Sequence, residues 1–174
     1  MAFLLPQLLT ESAERSPDQI AVEDSGGKLT YAEMELLSNQ LAHHLRAEGV
    51  RPGDRVGLFL DKSIYSVAAL FAIQKAGAAY VPVDPHAPPV RAAYILQNCG
   101  VRIVANDRSK LRGLPSQFLT GGSLESVLLF DAESSQPRDS WSSRLRSATL
   151  EEICASQPAT HPGVSITDDY LAYI

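Results

Sequence analysis

The chain has 174 residues, 45% of them hydrophobic, and a formal net charge of -5, enough apolar material to bury the core of one domain. The acidic balance, without a clustered Lys/Arg stripe, argues against a nucleic-acid partner, whose binding rests on phosphate neutralisation. Two cysteines, Cys99 and Cys154, provide neither a disulfide framework nor zinc-ligand spacing and are expected as buried thiols; no run reaches membrane-spanning length or resembles a cleavable leader, so a cytoplasmic location is expected.

In chain order, Leu5, Leu8, Leu9 and Ala13 recur at helical spacing, and Ser16-Pro17 ends that helix because the residue before a proline is pushed out of the α region. Residues 20–23 and 28–30 predict two short strands joined at Gly26-Gly27 as a tight hairpin. Thr30 followed by Glu33 is a capping box for the longest helix. Its stripe of Met34, Leu37, Leu41 and Leu45 runs until Gly49, where Val50 and Pro52 complete the stop signal. Residues 55–60 then predict a strand and 63–76 a helix.

The stretch KAGAAYVPVDP, residues 75–85, packs a helix end, a strand and an exit turn together. Gly77 suits a left-handed helix cap, and 78–83 is an apolar run without polar alternation, as in a parallel strand covered on both faces. Pro82 belongs near the strand's end, and Asp84-Pro85 makes the turn. A third unit follows, with Pro88-Pro89 opening a helix, Tyr94 and Leu96 in its middle, Gly100 as its cap and 101–105 as the next strand.

Three helices that end on glycine before a strand predict an α/β fold with a doubly wound, mostly parallel sheet flanked by helices, the strands at 56–60, 78–83 and 101–104 lying centrally. Beyond residue 106 the pattern predicts a strand at 127–130 and a short helix at 148–155. The serine-rich stretch 131–147, which carries Trp141, is expected as a mobile surface loop. Asp168-Asp169 precede 170–174, expected as a further covered strand, after which a βα loop of the kind that holds phosphates is anticipated.

These stretches resemble the adenylate-forming (AMP-binding) enzymes, above all the adenylation domains of nonribosomal peptide synthetases and the acyl-CoA ligases. LTYAEM at 29–34 resembles the family's first core motif and KAGAAYVPVDP its second, with Arg91 in the place of the arginine that follows. TDDYLAYI at 167–174 resembles the strand leading into the phosphate loop. The resemblance implies the N-terminal part, residues 1–174, of an ATP- and Mg²⁺-dependent ligase. Such a ligase activates a small carboxylic or amino acid as an acyl-adenylate and passes it to coenzyme A or a carrier-protein phosphopantetheine. The site of such chemistry needs glycine-loop N–H donors, a metal and a lysine around the phosphate. No residue here matches those motifs, so no catalytic, cofactor-binding or metal residue is carried over. The chain alone is expected to be inactive, to bind neither ATP nor Mg²⁺ tightly, and to partner the remainder of an adenylation domain.

The individual candidates have bland readings. Asp84 caps its own turn, His86 is a solvated loop residue, and His43 and His44 are adjacent on a helix and cannot share a face. Ser123 lacks a base and the nucleophile-elbow glycines. The alternative from another class is a stand-alone, non-catalytic α/β binding or interaction module, including a small flavodoxin-like nucleotide binder.

Overall fold

A computed structural model describes residues 4–131, 144–167 and 169–174, so Trp141, most of the serine-rich stretch and Asp168 lie outside the described residues. The elements run α1 (Leu5–Arg15), β1 (Ile20–Asp24), β2 (Gly27–Thr30), α2 (Tyr31–Ala47), β3 (Arg55–Phe59), α3 (Ile64–Lys75) and β4 (Ala79–Pro82). They continue with α4 (Pro89–Asn98), β5 (Ile103–Asn106), α5 (Arg108–Gly113), α6 (Ser116–Gly121), β6 (Ser126–Leu129), β7 (Arg146–Thr149) and α7 (Leu150–Ser156).

The starts and stops of these helices are local. Thr30 Oγ1 accepts from Glu33 N at 3.2 Å while Thr30 N donates to Glu33 Oε2 at 2.8 Å, the reciprocal capping box. At the other end of α2, Val50 N donates to Leu45 O at 3.0 Å and Gly49 N to Arg46 O at 3.0 Å, a Schellman closure. The same pair of bonds closes α3 through Gly77 and α4 through Gly100. Gly77 has φ of 85°, and a Cβ there would stand 3.0 Å from Pro52 Cγ, so both conformation and space require glycine.

The five-stranded sheet has the order β4-β3-β5-β6-β7, every pairing parallel, with β1 and β2 forming a separate antiparallel hairpin. Successive side chains point to opposite faces, and both faces are covered. Val56, Ile103 and Leu128 face α2, α3 and α7, whereas Val81, Val104 and Val127 face α4, α5 and α6. Crossovers of one hand that run in opposite directions along a sheet fall on opposite faces, which is why α3 and α4 lie on different sides. This is the doubly wound arrangement expected from the three glycine-ended units.

Several expectations change. The strand of KAGAAYVPVDP is not central: β4 pairs only with β3 among the named strands and lies at the sheet edge, a place that tolerates Pro82. The hairpin turns at Ser25-Gly26, since Gly27 already pairs with Asp24. Arg146 and Ser147 belong to β7 rather than to a loop, because they pair with Ser126 and Val127. Residues 170–174 are not a covered strand. They make one parallel bridge, Tyr80 to Tyr173, and Leu171 and Tyr173 are exposed. Both cysteines are free thiols, partly exposed rather than buried. No helix among the described residues is long and apolar enough to cross a membrane.

Candidate functional site

Five strand ends open onto one edge of the sheet, where β3 is followed by Leu60-Asp61, β4 by Val83-Asp84, β6 by Phe130-Asp131 and β7 by α7, while β5 ends at Asn106-Asp107. The chain steps from β3 to β4 on one side and returns past β3 to β5 on the other, so the direction of winding reverses between β3 and β5. Ligands of open α/β sheets lie outside the carboxyl ends at such a reversal.

A polar group is gathered there. Lys110 Nζ of α5 meets Asp61 Oδ2 at 2.9 Å, and His86 Nε2 stands 4.0 Å from Asp61 Oδ1. Arg108 N donates to Asp131 Oδ2 at 3.0 Å, and Asp107 N donates to Asn106 Oδ1 at 2.8 Å. Burial, then the charge of Asp131, raises the Asp107 carboxyl above its usual range, against the pull of Lys110. Among the described residues, Asn106 Nδ2, Arg108 Nε and Asp131 Oδ1 are buried without a hydrogen-bond partner. Orphaned buried polar atoms are uncommon, and these three lie together at one edge. The group gathers the carboxyls of Asp61, Asp107 and Asp131, the first of them paired with Lys110. Among the described residues no set of three His, Cys, Asp or Glu side chains is placed to hold a metal ion.

The residues singled out in the sequence fall in and around this edge without forming one constellation. Asp84 Oδ1 accepts from His86 N at 2.9 Å and caps the turn after β4, while His86 is solvent-exposed. Arg91 is exposed in the first turn of α4. Ser123 Oγ donates to Val101 O at 2.9 Å, a loop anchor. His43 Nε2 bonds Thr160 O at 2.9 Å. His44 is half-buried, and burial lowers its pKa against the nearby Glu48 and Glu152 charges. The Asn106-Asp107 pair went unnoticed, although it closes an apolar strand just as Asp84 does.

The other missed residue is Lys75, the first residue of KAGAAYVPVDP. Its side chain is fully buried, with Nζ 2.7 Å from Glu35 Oε2, 2.9 Å from Ser38 Oγ and 2.7 Å from Asn39 Oδ1. It lies at the opposite, amino-terminal end of β4 and joins α3 to α2.

Comparison with known proteins accounts for this architecture. The model of the AMP-binding enzyme family matches residues 9–174. Phosphinothricin tripeptide synthetase PhsC of Streptomyces viridochromogenes is 38% identical over 167 residues, which are 96% of this chain and 13% of the synthetase. Tyrocidine synthase 3 of Brevibacillus parabrevis is 45% identical over 104 residues, 60% of this chain and 2% of that protein. Among solved structures, the nonribosomal peptide synthetase FmoA3 with bound α-methyl-L-serine-AMP superposes with a TM-score of 0.76 at 27% identity, over 99% of this chain and 16% of that one. The anthranilate CoA ligase AuaEII, in complex with anthranoyl-AMP, gives a TM-score of 0.78 over 91% of this chain and 29% of that one, a likeness of fold alone at 23% identity. The chain therefore spans a small fraction of the length of the relatives it matches. With the family's model covering nearly every residue and its parallel, helix-flanked sheet present, this chain belongs to the AMP-binding enzyme family of adenylate-forming ligases.

Proposed function

We propose that this chain is the N-terminal part of an AMP-forming ligase that activates a small carboxylic or amino acid as its acyl-adenylate and passes the acyl group to a thiol of coenzyme A or a carrier-protein phosphopantetheine. The observation that carries the reading is the extent of the match: the family's model runs over 166 residues, 9 to 174, yet the alignment with the Streptomyces viridochromogenes synthetase takes up only 13% of that protein. ATP and Mg²⁺ serve the whole ligase, whose location is cytoplasmic.

In this reading residues 1–174 build one half-site and do not turn over alone. Charge develops on the α-phosphate as the carboxylate attacks, and it needs preorganised donors in place before the reaction. Lys110, a cation at the carboxyl edge, is already paired with Asp61. Purified residues 1–174 are expected to show no carboxylate-dependent exchange of pyrophosphate into ATP with a broad acid panel. Exchange above a no-protein control would overturn the half-site reading.

One observation favours a second reading, a non-catalytic binding module: the winding reversal between β3 and β5, with its polar group, is where a small nucleotide binder of this topology holds its ligand. Calorimetric binding of ATP or AMP to residues 1–174 with micromolar affinity would support it.

A further inference from the structure

Residues 157–167 form an irregular strap whose first part, 157–160, is held by three side chains of α2 and whose remainder passes beside α1. Gln40 Nε2 donates to Gln157 O at 3.3 Å, Asn39 Nδ2 to Ala159 O at 2.9 Å, and His43 Nε2 meets Thr160 O at 2.9 Å. The strap leads to residues 172–174, which bond the open side of β4 through Tyr80 N to Ala172 O at 3.1 Å and Ile174 N to Tyr80 O at 3.2 Å. Of the three anchors, the Gln40 bond is long and the His43 bond is exposed, so water can replace either at little cost. Asn39 is 3% exposed, and its bond has no such substitute.

A carboxamide can face a neighbour with either end. Here both neighbours remove the choice. An ammonium only donates, so Asn39 turns Oδ1 toward Lys75 Nζ, 2.7 Å away, and a carbonyl only accepts, so Nδ2 faces Ala159 O, 2.9 Å away. Glu35, 2.7 Å from the same ammonium, holds it in place. We propose that Asn39 is a positioning residue: clamped between the Lys75 ammonium and the Ala159 carbonyl, it latches residues 157–160 onto α2, and so determines how residues 172–174 lie beside β4. The latch rests on no enzymatic reading and is tested without activity.

The test is amide hydrogen exchange on the full 174-residue chain. Tyr80 and Ile174 report the strap's far end, and Val104, in the centre of the sheet, reports global opening. Asn39→Asp keeps an acceptor for Lys75 but loses the donor to Ala159. It is expected to speed exchange at Tyr80 and Ile174 at least tenfold while Val104 changes less than twofold. Lys75→Met leaves Asn39 Oδ1 without its buried donor while the Ala159 carbonyl still orients Nδ2, and it is expected to speed exchange at Tyr80 and Ile174 by a smaller factor. Unchanged exchange at Tyr80 and Ile174 in Asn39→Asp would overturn the latch. So would equal acceleration at all three positions, which is the signature of a residue that only stabilises the core. Should Lys75→Met fail to fold, Asn39→Asp decides alone.

Discussion

Asp24 Oδ2 accepts a 2.8 Å hydrogen bond from the backbone N of Ile64, tying the β1–β2 hairpin to the first turn of α3. That turn contains no acidic residue of its own, so Asp24 supplies from a distance the negative charge that a helix N-terminus favours. Asp24 Oδ1 also accepts from Gly26 N and Gly27 N, at 2.6 and 3.1 Å.

The Ile64 and Gly26 bonds lower the Asp24 pKa from its ordinary 3.8. A carboxyl depressed in the folded state stabilises it above the unfolded pKa, and the contribution is lost as pH falls through the folded value. Between pH 7 and pH 3 the urea midpoint of Asp24→Asn should therefore fall less than that of the wild type. Parallel falls would show that Asp24 does not contribute to acid sensitivity.

Glu35→Ala removes the carboxylate that, among the described residues, pairs with Lys75, whose side chain is 0% exposed. Leaving a buried charge uncompensated costs about 3–5 kcal/mol, and chemical denaturation at pH 7 should show a loss of that order. Burial already lowers the Lys75 pKa from 10.5, despite the pull of Glu35. The unfolded state thus holds the proton more tightly, and stability rises with pH through the window below 10.5. The variant's deficit should accordingly shrink between pH 7 and pH 10; a deficit that is constant or grows would contradict this.

Leu41 is 0% exposed in the middle of the α2 stripe, packed in the core between α2, α3 and the sheet. Leu41→Ala should cost about 2–5 kcal/mol of unfolding free energy. An unchanged denaturation midpoint would mean that α2 is not seated on the sheet in solution.

Gly77→Val combines left-handed strain with a close approach to Pro52, whose Cα would lie 3.1 Å from the new Cβ. The strain alone costs roughly 1–2 kcal/mol, and thermal unfolding should register at least that much. Retention of the wild-type midpoint would place the chain reversal elsewhere.

What the sequence made legible was short-range. The capping box of Thr30 and Glu33 and the glycine closures at Gly49, Gly77 and Gly100 are decided within one helical turn, and each stands where the residue pattern puts it. The edge position of β4 is a different matter, because strand order follows from the direction of each crossover and no local residue records it. α5 and α6 span six residues each, too short for a periodic stripe, and they hold through the burial of Leu111, Phe118 and Leu119. Nothing local marks Lys75, because its partners Glu35, Ser38 and Asn39 sit on another helix. The polar group at the carboxyl edge was hidden for the same reason: Asp61, Asp107 and Asp131 end three strands far apart in sequence.

The central claim, that residues 1–174 are the N-terminal part of an adenylate-forming ligase, is tested most directly by grafting. A chimera in which this chain replaces the matching segment of the Streptomyces viridochromogenes synthetase, 38% identical over 167 residues, should fold and catalyse carboxylate-dependent exchange of pyrophosphate into ATP, while residues 1–174 alone should not. A chimera that folds, as judged by a cooperative thermal transition, yet exchanges no pyrophosphate with the synthetase's own substrate would contradict the account.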